Sequence, residues 1–127
     1  MMMHTENGRI ESTMLGVEDH GIFTAVLMLA FDGTGQGFGT HALDEPIEED
    51  GKFVGRHGTA YGLDHIMRIL EVVGVNRWED LPGKYVRVQR DGGRFDLISR
   101  IGHITKDSWF DPKKHAEEWR EKERADG

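Results

Sequence analysis

The fold is decided by residues 22–39, IFTAVLMLAFDGTGQGFG, in which an apolar stretch runs into a segment with glycine at every second position. The apolar part, Ile22–Phe31, has hydrophobic side chains at both odd and even positions, which is typical of a strand covered on both faces. Its β-favouring residues and the glycine turns on both sides favour a hairpin strand over a helix. We therefore expect this stretch at the centre of a sheet.

The glycine run predicts a strand with one bare face. Side chains alternate between the faces of a strand, so Gly33, Gly35, Gly37 and Gly39 leave backbone that another backbone or a flat ligand can approach. This pattern indicates a binding surface more than a catalytic centre. A flexible glycine loop between two ordered elements is the alternative.

The whole pattern predicts an α+β domain of order β-β-β-α-β-β-α: an antiparallel sheet of about five strands, one central helix and one C-terminal helix. The expected elements are a flexible start at 1–8, a strand at Arg9–Val17, an exposed acidic loop at 44–52, a helix at Thr59–Val73 stopped by Gly74, a strand at 84–90, a return strand from Arg94 to Ile104 with a bulge, and a charged helix at 113–127. The central helix is apolar over more than one face. We expect a sister subunit or the C-terminal segment to cover it a second time.

Size and composition narrow the function classes. With 127 residues the chain predicts a single domain, 1–127, and the absence of cysteine excludes disulfides and thiolate zinc sites. No apolar run is long enough for a bilayer, and the N-terminus lacks a secretory signal's basic start and apolar middle. We expect a cytoplasmic protein with no membrane partner.

Charge is unevenly distributed along the chain. The net charge is −7, and residues 1–50 hold ten acidic side chains against Arg9 alone, whereas residues 84–106 hold six basic side chains against two acidic ones. An acidic protein is repelled by nucleic acid, so we expect no duplex partner. A local cluster of arginines can still hold a small anion, although most such charges only solvate a strand face.

No residue pattern predicts catalysis or a metal. The seven histidines have no compact ligand spacing, and the serines stand in no nucleophile motif. We predict no catalytic residues, no metal and no cofactor. Aromatic rings, arginines and exposed backbone together suit a nucleotide-like ligand. The candidate ligand-binding residues are Gly37, Phe38, Gly39, His41, Tyr61, Arg68, Arg94, Phe95, Arg100 and His103.

Several short segments resemble a family of small phage proteins. They are EDHGI at 18–22, GQGFG at 35–39, GTAYG at 58–62, WEDL at 78–81 and IGHI at 101–104, followed by WF at 109–110. Over residues 10–112 the chain resembles the phage anti-Thoeris sponges. The resemblance implies a non-enzymatic homo-oligomer, a dimer or a multiple of dimers, that works in the host cytoplasm and sequesters cyclic ADP-ribose signals made by bacterial TIR-domain defence proteins. It leaves cyclic oligonucleotides open as a second ligand class and assigns no individual pocket residue.

Two other function classes stay open. The acidic first fifty residues suit an inhibitor that blocks a nucleic-acid-binding defence effector by presenting carboxylates to it. A small hydrolase using His20 or His103 with Asp19 or Asp107 ranks last. Adjacent Asp and His side chains on a strand or turn more often point apart than form a dyad.

Overall fold

The structure is a computed structural model that describes residues 3–18, 20–39 and 41–126. It is a mostly antiparallel β-sheet protein with two helices, so the predicted α+β class is confirmed. The elements are β1 (His4–Val17), β2 (Phe23–Phe31), β3 (Thr34–Gly39), β4 (Asp44–Glu49), β5 (Lys52–Gly58), α1 (Ala60–Val73), a short 3-10 helix (Trp78–Asp80), β6 (Tyr85–Arg90), β7 (Arg100–Gly102), β8 (Trp109–Phe110) and α2 (Pro112–Asp126).

The strands form two sheets instead of one. Six strands lie in the order β3-β2-β1-β6-β7-β8, and β4 pairs only with β5. β1 joins the halves of the larger sheet, because its segment Arg9–Val17 pairs with β2 and its segment His4–Arg9 pairs with β6. The register shifts between Ile10 and Ser12, which marks a bulge where the strand changes partner.

One face of the larger sheet carries the core. Ile10, Leu27 and Val88 come from three strands and are fully buried together with Ile69 and Val72 of α1. The opposite face is covered only in part, since Thr24 of β2 is buried there while Met28 is 43% exposed. The expectation that β2 is covered on both faces therefore holds only in part, and β1 lies closer to the centre of the sheet than β2 does.

The predicted central helix is confirmed as α1. Thr59 is its N-cap: the hydroxyl accepts a hydrogen bond from the Gly62 amide at 2.8 Å and donates to the Leu43 carbonyl at 2.9 Å. Gly74 ends the helix with a φ of 92°, and its amide donates to the Leu70 carbonyl.

The segment 44–52 is a hairpin and not the predicted acidic loop. β4 and β5 are joined by Asp50 and Gly51, which both have positive φ, as a two-residue type I′ turn requires. Polar pairs replace apolar ones across this hairpin. Arg56 donates two hydrogen bonds to the Asp44 carboxylate, at 2.8 and 2.9 Å.

Two other expectations were wrong. Residues 4–8 belong to β1 and pair with β6, where a flexible start was expected; Met1 and Met2 lie outside the described residues. The return strand expected over residues 94–104 is reduced to β7, and residues 91–99 form a loop. Asp96 explains the loop, because its carboxylate accepts the Gly93 amide and its carbonyl accepts the Arg90 guanidinium.

The charged terminal helix is α2, which packs on α1. His115 Nε2 lies 2.8 Å from the Asp64 carboxylate, and the indole N–H of Trp119 donates to the same carboxylate oxygen at 3.1 Å. The C-terminal segment thus covers part of α1, while Leu63 and Met67 on the same helix are 62% and 51% exposed. Within the described ranges, no helix has the length and apolar character needed to span a membrane.

Candidate functional site

A cavity of about 410 Å³ lies beside the edge strand β3, between the loop 91–99 and the start of α2. We call it the β3 cavity. Four of the predicted ligand-binding residues line it together: Gly37, Phe38, Gly39 and His41. The remaining wall comes from Asp91, Leu97, Ile98, Ser99, Asp111, Pro112 and Lys113.

The glycines of β3 have different roles. Gly35 and Gly37 are exposed and lie in the strand as predicted, whereas Gly33 is in the preceding turn with a φ of 80°. Gly39 has a φ of 143°, and a Cβ atom there would collide with the Ala25 carbonyl oxygen. Part of the glycine pattern therefore serves strand packing and only part leaves backbone accessible.

His41 gives the cavity a neutral imidazole. The side chain is half-buried, and burial lowers its pKa, which Asp111 opposes through its charge. Its ring nitrogens form no hydrogen bond with any residue that the structure describes. A neutral ring offers one donor and one acceptor, which suits the edge of a heterocyclic base.

Arg100 lies behind the cavity wall and is already occupied. Its guanidinium contacts Asp91 at 3.0 Å and Asp111 at 3.5 Å, and it keeps the pKa of Asp91 below the ordinary range. Asp111 in turn caps α2, since its carboxylate accepts the Lys114 amide at 3.1 Å. Arg100 thus engages both carboxylates of the wall and offsets one of their two negative formal charges.

Lys113 is the cation that remains available. It lines the cavity, is exposed and has no carboxylate of a described residue within 4 Å, although its charge helps Arg100 to lower the pKa of Asp91. It lies in the first turn of α2, where the helix dipole also favours a negative ligand.

The other predicted residues lie elsewhere. Arg94 and Phe95 border a separate hollow of about 200 Å³ beside Gly35. Arg68 pairs with Asp64 and Glu71 on the surface of α1. The structure thus does not bring these side chains into the β3 cavity.

Tyr61 and His103 also lie outside the cavity. Tyr61 stacks on His115 with ring centroids 5.2 Å apart, and burial raises its pKa. His103 has a local role, because its Nδ1 accepts the backbone amides of Thr105 and Lys106. That contact does not include Asp107, and Asp19 of the hydrolase alternative lies outside the described residues.

Sequence reasoning missed a buried histidine cluster between the helices. His65 is fully buried, and neither ring nitrogen has a hydrogen-bond partner among the residues that the structure describes. Its ring lies 5.7 Å from His41, 6.2 Å from His115 and 5.0 Å from Phe110. Burial lowers the pKa of His65 to about 3, with the charges of the other two histidines adding to the effect. The available signal was the spacing of His65 four residues before the core residue Ile69.

No known protein family, curated protein or solved structure matches this chain. Across residues 3–18, 20–39 and 41–126, no group of three histidine or acidic side chains is placed to hold a metal ion. The β3 cavity is thus described by its own geometry: apolar walls, a neutral imidazole, one unpaired lysine and a glycine-bearing strand edge.

Proposed function

We propose that the protein captures a small nucleotide-derived signalling molecule, a cyclic ADP-ribose isomer, in the β3 cavity and holds it intact. The observation that carries the proposal is the convergence of Gly37, Phe38, Gly39 and His41 on a cavity that also contains the unpaired Lys113. A volume of about 410 Å³ lies within the range of small-molecule sites. The resemblance to the phage sponges supports the same ligand class.

The phosphate groups and the base of such a ligand suit different sides of the β3 cavity. Phosphate groups suit the side of Lys113, because the N-terminus of α2 is already capped by Asp111. A base suits the apolar side formed by Phe38, Leu97 and Ile98, with His41 offering a donor and an acceptor to its edge. Arg100 offsets one of the two negative formal charges of Asp91 and Asp111, so Lys113 is needed to balance the second before an anion binds.

Capture without turnover is consistent with how these side chains are used. Catalysis needs groups that bind the transition state better than the substrate, whereas a capturing protein needs only tight ground-state binding. Asp91 and Asp111 are the carboxylates of the cavity, and both are engaged by Arg100. Neither is positioned as a free general base.

The test is isothermal titration of the protein with cyclic ADP-ribose isomers, using the variant Lys113→Glu and its neighbour Lys114→Glu as a matched control. We expect at least tenfold weaker binding for Lys113→Glu, about 1.4 kcal/mol, and little change for Lys114→Glu. Mass spectrometry of the ligand released by heating should return it unchanged. Absence of heat with every isomer contradicts the ligand class, and a converted product contradicts capture.

A second candidate function, inhibition of a basic defence effector, is favoured by the β4–β5 hairpin. This hairpin pairs with no other strand and exposes Glu45, Glu48, Glu49 and Asp50. Charged surfaces of this kind promote association with basic partners. Pull-down from host lysate over a salt series discriminates the two functions, because a charge-driven contact weakens steeply with salt.

A further inference from the structure

The larger sheet ends on one side at β3, and this edge carries none of the usual protection. Among the described strands, only β2 pairs with β3. Soluble proteins commonly protect an edge strand with a charged side chain, a proline or a bulge, because its outer backbone groups are unpaired. The sequence TGQGFG of β3 has no charge and no proline, and its register with β2 is continuous from Thr34 to Gly39. The edge of β3 is thus able to accept a further strand.

The register shows which backbone groups of β3 face outward. A two-residue turn joins β2 to β3, so the hairpin closes with hydrogen bonds between Phe31 and Thr34. Bonded and non-bonded pairs alternate along an antiparallel ladder. The backbone of Gln36 therefore bonds to β2, while the amide and carbonyl groups of Gly35 and Gly37 point away from β2. Both glycines are exposed, and their outward groups have no backbone partner in the described part of the chain.

Open space lies along this edge. Gly35 borders the hollow of about 200 Å³, and Gly37 borders the β3 cavity. Between them, the side chain of Gln36 lies on the same face of the strand as the buried Phe38 and donates to the Asp96 carbonyl at 2.9 Å. The loop before β7 thus contacts the core side of β3. A Cβ atom at either glycine would make only ordinary contacts, so alanine can replace each one without closing the edge.

The side chains beside Gly35 favour an acidic partner. In the hollow, Glu6 and the buried Arg90 balance each other, with their charged atoms 2.7 Å apart. Arg94 also lines the hollow, is exposed and has no carboxylate of a described residue within 4 Å, so one positive formal charge there is unbalanced. Its neighbour Phe95 is 86% exposed and offers apolar surface. A carboxylate next to an aliphatic side chain therefore suits this end of the edge.

We propose that β3 accepts an extended acidic segment of a partner protein as a seventh strand of the larger sheet, hydrogen-bonded to Gly35 and Gly37 and with a carboxylate against Arg94. In this mode of recognition the main-chain hydrogen bonds supply affinity and the flanking side chains supply specificity. The inference does not rest on the ligand proposed for the β3 cavity. Because Gly37 belongs to both surfaces, the test is made in the absence of nucleotide.

The test measures fluorescence anisotropy of the labelled peptide Glu-Thr-Val-Thr-Val-Thr-Glu, which reads the same from either end and so fits either strand direction. Gly35→Pro removes the outward N–H, and an edge strand tolerates proline at such a position. Gly35→Ala is the matched control, because it keeps the N–H. We expect about tenfold weaker binding by Gly35→Pro and unchanged binding by Gly35→Ala. Equal binding by the full chain and Gly35→Pro overturns the proposal, as does no binding by the full chain at about 1 mM.

Charge reversal tests the contact with the carboxylate. Arg94→Glu should weaken binding of the peptide by about tenfold at low salt, whereas Arg124→Glu in the last turn of α2 should leave it unchanged. A peptide with lysine in place of both glutamates should bind the full chain more weakly. Equal binding of the two peptides overturns the acidic partner.

Hydrogen exchange followed by NMR tests the pairing without any variant. The Gln36 amide should be protected before the peptide is added, because it already bonds to β2. The amides of Gly35 and Gly37 should become protected only with the peptide. Unchanged exchange at both glycines under saturating peptide overturns strand addition. Circular dichroism of Gly35→Pro shows that the variant remains folded.

Discussion

Replacing His65 with leucine should remove a large part of the acid sensitivity of this protein. His65 is fully buried among aromatic rings, its ring nitrogens have no hydrogen-bond partner in the described part of the chain, and burial lowers its pKa to about 3. The folded protein therefore keeps this imidazole neutral at pH values where an unfolded chain binds a proton. Leucine is of similar size and cannot titrate.

The magnitude follows from the difference between the two pKa values. The unfolded side chain titrates near 6.5, so the stability from neutral His65 is fully present above that pH and is lost as pH falls toward about 3. Between pH 7 and pH 5 this loss amounts to about 2 kcal/mol. At pH 7 the leucine variant should be at least as stable as the parent chain, because two unpartnered buried nitrogens are removed.

The assay is urea unfolding at pH 7 and pH 5, followed by tryptophan fluorescence. Working at pH 5 and above avoids the titration of Asp64 and Asp91, because hydrogen bonds from His115 and Arg100 hold the pKa values of these carboxyls below their ordinary range. His20→Leu is the control, because His20 is exposed and should leave the pH dependence unchanged. Equal losses between pH 7 and pH 5 for the parent chain and His65→Leu, with unchanged denaturant slopes, refute the reasoning.

Three further substitutions test the packing by thermal or urea unfolding. Thr59→Ala should lower the unfolding free energy by about 1 to 2 kcal/mol through loss of the N-cap of α1, while Thr59→Ser retains most of it. Gly62→Ala places a Cβ against the Leu43 carbonyl oxygen, which also accepts the Thr59 hydroxyl, and should lower the unfolding free energy by more than about 2 kcal/mol. Gly58→Ala places its Cβ in open space and should lower the unfolding free energy little. Glu6→Leu should lower the unfolding free energy by about 3 kcal/mol, because it removes the carboxylate that lies 2.7 Å from the buried Arg90 guanidinium. The double variant Glu6→Leu with Arg90→Met should recover part of that loss, because it no longer buries an unpaired charge.

Sequence patterns predicted the elements that have clear local start and stop signals or a strong hydrophobic period. α1 was predicted within one residue because its apolar spacing, its cap at Thr59 and its stop at Gly74 all agree. The hairpin of β2 and β3 was predicted from continuous apolar character beside glycine turns. The β4–β5 hairpin was missed because its cross-strand contacts are charged, as in Arg56 with Asp44, and carry no hydrophobic period.

Contacts between residues distant in sequence explain the other misses. The 94–104 segment has the residues of a strand, yet its carbonyl at Asp96 is bound by Gln36 from β3, 60 residues away. No local pattern encodes such a bond. The histidine cluster was missed for the same reason, because His41, His65 and His115 belong to three separate segments that meet only in the fold.

The glycine run shows how one pattern can serve two physical requirements. Gly39 needs glycine because of its left-handed backbone and its close approach to Ala25, and the structure thus accounts for it without any ligand. Gly37 has no such constraint, since a Cβ there makes only ordinary contacts with Met28 and Val26. Gly37→Ala should therefore leave stability within about 0.5 kcal/mol of the parent chain. A loss of ligand binding in that variant would isolate the part of the pattern that serves the β3 cavity.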